Sequence, residues 1–151
     1  MKKLLFLLVF SFGFFKSQSL SELRTYLQKG ETSEEVSKNL INKSKYAYET
    51  TNKPIYEAFY AVGNFFMAKY AGNPISKYSY FKKGKKLLED AVKKEPNNVE
   101  IRLMRYISQE KTPKLLGYDE NMKTDKEFIM KNYKNCGDDD LIIFIKKYFE
   151  I

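Results

Sequence analysis

The segment from Pro54 to Ala71, "PIYEAFYAVGNFFMAKYA", limits what this chain can fold into more than any other stretch. It carries little charge, and its apolar residues recur at helical spacing on every face. Ile55, Phe59, Val62 and Phe66 form one stripe, Tyr56, Tyr60, Met67 and Tyr70 a second, and Ala61, Asn64, Ala68 and Ala71 a third of mostly small residues. A helix that is apolar all round belongs where other elements surround it, and a stripe of small residues lets a neighbouring backbone come close. Pro54 opens the segment at the one helical position where its missing N–H loses nothing, and Gly72-Asn73-Pro74 ends it by turn chemistry. The expectation is a domain with this helix at its heart.

Strand signals are nearly absent elsewhere, and helical periodicity returns between breakers. Ser19 to Glu22 fits a capping box for a short helix carrying Leu20, Leu23 and Leu27 to a stop at Gly30. Thr32 with Glu35 repeats that device ahead of Val36, Leu40, Ile41, Ala47 and Tyr48, a helix reaching about Thr51. A helix over Ser76 to Glu95 buries Phe81, Leu88, Ala91 and Val92, and Pro96-Asn97-Asn98 stops it. Val99 to Lys111 is again periodic, with Ile101, Leu103, Met104 and Ile107. Beyond the connection "KLLGYDEN", Thr124 and Glu127 cap a helix with Phe128, Ile129 and Tyr133 that ends at Asn135-Cys136-Gly137. Asp138 caps the last, with Leu141, Phe144, Ile145, Tyr148 and Phe149. Six or seven helices joined by short loops predict an all-α domain of stacked antiparallel hairpins over residues 20–151.

The start of the chain has a different character. Met1-Lys2-Lys3 precedes an apolar run of 12 residues, Leu4 to Phe15, and then "KSQS", the order of a secretory signal peptide over residues 1–19 with a cut after Ser19. A spanning helix needs about 20 apolar residues, so the run predicts export, periplasmic or extracellular, without a permanent anchor. The single cysteine, Cys136, is far from the cut, which excludes lipid attachment there and leaves no internal disulfide. A lone cysteine beside a glycine fits a small buried residue at a helix end. The whole chain has a formal charge of +8, and removing three leader lysines leaves 8 − 3 = +5. That excess permits weak polyanion binding without requiring it.

Gly84, Leu88, Ala91 and Pro96 are separated by 4, 3 and 5 residues. This is the order small, large, alanine, helix-ending proline, and over Pro54 to Asn98 the chain resembles a hairpin of the tetratricopeptide-repeat family. It departs from the pattern at Pro74, which falls inside the expected first helix, and at Ala68, where an aromatic residue is usual. The resemblance implies a fold of tetratricopeptide-like hairpins and a groove lined by the first helix of each. Carried onto this sequence, the groove residues are Tyr56, Tyr60, Asn64, Arg102 and Arg105, with the tyrosines as anchors and the arginines as carboxylate contacts. The same tyrosines also fit a core stripe.

Catalytic chemistry finds little support. The chain has no histidine, the commonest general base and metal ligand. Ser79 and Lys82 have the S-x-x-K spacing of penicillin-binding enzymes, but neither companion motif occurs and the domain is too short for that fold. Asp138-Asp139-Asp140 and Asp119-Glu120 lack the alternating pattern of a calcium loop, and helix capping accounts for the aspartates. The sequence thus predicts no enzyme, cofactor or metal, but an exported interaction or scaffold module with a protein or peptide partner and no nucleic acid. The alternative is a basic surface, Lys82, Lys83, Lys86, Lys93 and Lys94, on an anionic envelope polymer or lipid headgroup. Against it, Glu89 and Asp90 stand four residues before Lys93 and Lys94, the spacing of ion pairs along an exposed helix.

Overall fold

A computed structural model describes residues 19–151, so all of the expected leader except Ser19 lies outside the described residues. The fold is all-α. Among the described residues are seven helices, α1 Leu20–Gly30, α2 Glu34–Thr51, α3 Pro54–Tyr70, α4 Pro74–Lys94, α5 Val99–Lys111, α6 Met122–Asn132 and α7 Asp139–Phe149, and no strand. None of them is long and apolar enough to cross a membrane.

Local chemistry accounts for most of the boundaries. Ser19 Oγ accepts from the N–H of Glu22 at 3.2 Å, so a cut after Ser19 would also remove the cap of α1. Ser33, not Thr32, caps α2 by accepting from Val36 N–H. Thr32 instead donates its hydroxyl to the Lys29 carbonyl. Asn73 caps α4 and places Pro74 at its first position, so this proline opens a helix two residues ahead of the expected Ser76. The Thr124 cap is not formed. Its hydroxyl donates to the Asn121 carbonyl inside a helix that has already begun at Met122. Asp138 caps α7 as expected, accepting from Leu141 N–H at 2.9 Å.

Consecutive helices pair antiparallel. In α1 and α2, Glu22 meets Lys43 at 2.9 Å, while at the other end the Ser37 hydroxyl donates to the Gly30 carbonyl at 2.7 Å. In α3 and α4, Glu57 meets Lys94 at 2.8 Å and the rings of Phe65 and Phe81 lie 5.9 Å apart. In α5 and α6, Arg105 meets Asp125 at 2.7 Å and Gln109 meets Asn121 at 3.3 Å. Stacking these hairpins points α1, α3, α5 and α7 the same way. Arg24 near the start of α1 pairs with Glu100 at the start of α5 and with Asp138 at the start of α7, each at 2.7 Å. Past the end of α1, Glu31 receives the Tyr70 hydroxyl from the end of α3 on its carbonyl and the Lys111 ammonium from the end of α5 on its carboxylate.

Helix α3 is buried on nearly every face, as its sequence requires, and is the axis of a core containing Leu23, Leu40, Phe59, Leu88, Ala91 and Ile101. Burying a large apolar side chain contributes roughly 1.5–3 kcal/mol, so the fully buried Phe59, Leu40, Leu88 and Ile101 anchor three hairpins to one another. Close approach is a matter of missing side chains: an added Cβ on Gly63 would stand 2.7 Å from Ile41 of α2, and one on Gly84 would stand 3.0 Å from the Ala61 carbonyl oxygen. A second core, Leu103, Tyr106, Ile129, Tyr133, Leu141 and Ile145, joins α5, α6 and α7.

Candidate functional site

The principal concavity lies on the side where α1, α3, α5 and α7 run parallel. Leu27 of α1, Val62, Phe65 and Phe66 of α3, Phe81 of α4, Met104 and Ile107 of α5, and Phe144 and Tyr148 of α7 wall a cleft of about 940 Å³. A second cleft, of about 810 Å³, adjoins it between α1, α5 and α7 and shares Leu27, Gln28, Met104, Ile107, Phe144 and Tyr148 with it. The two form one apolar trough. Concave apolar surface with few polar groups is the usual character of a binding site.

Ion pairs frame the trough at both ends. At one, Arg24 places Nε and Nη2 2.7 Å from the two carboxylate oxygens of Glu100 and reaches Asp138 as well. Both acids hold the Arg24 guanidinium more firmly protonated than usual, and the Asp138 carboxyl is drawn below the ordinary carboxylate range, first by Arg24 and then by the Leu141 N–H. At the other end Lys111 lies 3.3 Å from Glu31. Helices α1 and α5 are thus bridged at either end, with the trough between the bridges.

Helix α7 forms a wall and does not fill the trough. Its Tyr148 hydroxyl donates to Glu110, its Phe149 ring sits 5.3 Å from Tyr106, and Phe144 stacks on Tyr148 at 5.9 Å. Desolvation and the acceptor carboxylate of Glu110 hold the Tyr148 proton above the usual tyrosine range. The loop between α5 and α6 supplies the mouth. Tyr118 is buried against Phe65 and Phe81, and its hydroxyl donates to Glu89 at 2.7 Å. Gly117, at φ 59°, reverses the chain just before that anchor. As a result Leu115 stands at the mouth 90% exposed, beside Leu116 and across from Tyr78, itself 56% exposed.

The residues expected to line a groove do not line it. Tyr56, Tyr60 and Asn64 are buried within the hairpins, and Asn64 donates its side-chain amide to the Tyr60 carbonyl at 2.7 Å. Arg105 is buried too, with Nε and Nη2 on the two oxygens of the fully buried Asp125 and Nη1 2.8 Å from Glu89. Arg102 lies over the Phe128 ring at 4.5 Å and brings Nε within 3.0 Å of Asp125 without hydrogen-bond alignment. These arginines therefore meet carboxylates, but those of the chain itself. The correction has a simple cause: α3 is enclosed by α2, α4 and α5, so its tyrosine stripe faces neighbours, and the trough takes the Phe65–Phe66 edge instead.

The lysines of α4 are spread along its outer side. Lys82 lies over Tyr78 at 5.8 Å and Lys83 over Tyr60 at 4.9 Å, Lys86 pairs with Asp90 at 2.8 Å, and Lys93 is exposed. Lys94 makes its ion pair with Glu57 and Asp90 with Lys86, while Glu89 turns inward to Arg105 and Tyr118, so neither expected pair along the helix forms. Among the described residues no three His, Cys, Asp or Glu side chains stand close enough to hold a metal ion. Comparison with family models, curated proteins and solved structures returns no match.

Two signals in the sequence pointed to the trough. Leu115-Leu116 is an apolar pair in a loop with no periodic face to serve, and α7 carries seven large apolar residues, more than one neighbouring helix covers.

Proposed function

We propose that this chain is an exported, non-enzymatic interaction module that receives an apolar segment of a partner in the trough between α1, α3, α5 and α7. The observation that carries this reading is the trough itself: apolar walls from four parallel helices, framed by ion pairs, with Leu115 and Tyr78 exposed at its mouth. Exposed apolar side chains that continue an apolar concavity mark interaction sites. The tetratricopeptide-like spacing of Gly84, Leu88, Ala91 and Pro96 supports the reading, and the apolar leader supports export.

A photo-crosslinking amino acid placed at Leu115 in the full chain, expressed in its own cells, tests it. A protein adduct forms at Leu115 and not at Tyr46, an exposed position on α2 away from the trough. The absence of an adduct at Leu115, or the same adduct from both positions, contradicts the reading.

A further inference from the structure

The walls of the trough limit the conformation of whatever enters it. Phe65, Phe66, Met104 and Ile107 offer no acceptor or donor to a backbone, and the uncharged polar side chains beside them, Gln28, Ser108 and Thr112, are too few to pair with a row of peptide groups. An extended peptide laid against them would bury N–H and C=O groups without partners, and each such group opposes binding. No strand among the described residues offers an edge to which such a peptide could add. A helix satisfies its own backbone and presents only side chains, so it is the form of polypeptide that fits.

The rim limits the charge. Lys69, Lys77 and Lys111 border the larger cleft against one acid, Glu31, an excess of 3 − 1 = +2. All three lysines are exposed, and Lys69 and Lys111 stand together because both reach Glu31, one at its carbonyl and one at its carboxylate. Leu115 and Tyr78 line the larger cleft while remaining exposed, so its apolar wall opens to solvent at the mouth, where a long ligand covers more of it than a small amphiphile does.

We infer that the occupant is an amphipathic helix of another protein, its apolar face seated in the trough and acidic residues flanking that face opposite Lys69, Lys77 and Lys111. This deepens the proposed function and rests on it. Anchors recur on the partner at i, i+3, i+4 and i+7, and the lysine rim sets orientation and selects against basic helices.

Fluorescence anisotropy with the full chain and two labelled synthetic helices tests the inference. Each is about 16 residues long, enough for helicity, with the same Leu/Ala face, one flanked by Glu and the other by Lys. The Glu-flanked helix binds about tenfold or more tightly than the Lys-flanked one at low salt, and the gap narrows as salt is added. The double charge reversal Lys69→Glu/Lys77→Glu inverts the preference, and Leu115→Ala weakens both helices. These positions are exposed, and circular dichroism checks that the helical content is retained; the single reversal Lys77→Glu serves if the double variant does not fold. Equal affinity for both helices overturns the acidic assignment and leaves the cleft reading standing. Failure of both helices to bind, with or without binding of dodecanoate, overturns the two together.

Discussion

Gly84 of α4 rests against the main chain of α3 so closely that a Cβ there would meet the Ala61 carbonyl oxygen at 3.0 Å and the Phe65 ring at 3.1 Å. That contact sets the distance between α3 and α4. It also holds Phe65 where it lines the trough.

Gly84→Val should therefore destabilise the fold. Alanine alone would gain about 1 kcal/mol of helix propensity over glycine, but valine adds two methyls beyond a Cβ that already touches backbone. Overpacking of this kind costs about 1–3 kcal/mol. Urea denaturation followed by circular dichroism measures it. Stability equal to wild type would show that α3 and α4 can separate freely.

The buried ion cluster gives a second prediction. Asp125 is fully buried and holds Arg105 through two bonds, with Arg102 alongside. Asp125→Ala removes two of the three carboxylate bonds of the buried Arg105 guanidinium, leaving it Glu89 alone, and should cost about 3 kcal/mol. The joint replacement Arg105→Met/Asp125→Leu removes both charges of the pair and should recover part of that loss, because a buried pair is worth little more than well-packed apolar groups while Arg102 still loses its contact with Asp125. A double variant as unstable as Asp125→Ala would assign the loss to shape and not to charge.

Acid should loosen the frame of the trough. Arg24 and the Leu141 N–H draw the Asp138 carboxyl below its ordinary range, so its contribution is complete above the unfolded value of about 3.9 and is lost as pH falls through the lower folded value. Asp138→Asn keeps a competent helix cap and removes the charge. Melting temperatures of the two proteins should differ at pH 7 and converge as the pH falls below the ordinary carboxylate range. A constant gap through that fall would mean that the Arg24 pairing contributes nothing.

Periodicity and breakers made the helices legible. Val99 and Lys111 bound α5 as read, and the all-round apolarity of Pro54 to Ala71 located the core helix. Ser33 caps α2 in place of Thr32, because neighbouring polar residues compete for one helix start and only backbone geometry decides between them, and α6 begins after Asn121 with no side-chain cap at all. The site was much less legible. A tyrosine or arginine reads alike whether it faces water or a partner helix, and the burial of Tyr56, Tyr60 and Arg105 comes from α4 and α6 folding over them. Arg105 and Asp125 are separated by a proline break and a loop, so no local spacing announces their pairing. The long charge-bearing α4 misled in the same way, since Glu89 bonds across helices to Arg105 and Tyr118 and Asp90 pairs back along α4 with Lys86, not forward with Lys94.

Methyl resonances would test the central claim most directly, read in the full chain as the Glu-flanked helix is titrated in. The account predicts shifts at Leu27, Met104 and Ile107 in the trough walls and none at Leu40 or Ile129, which are fully buried in the two cores. Shifts confined to residues outside the trough, or none at saturating helix, would contradict it.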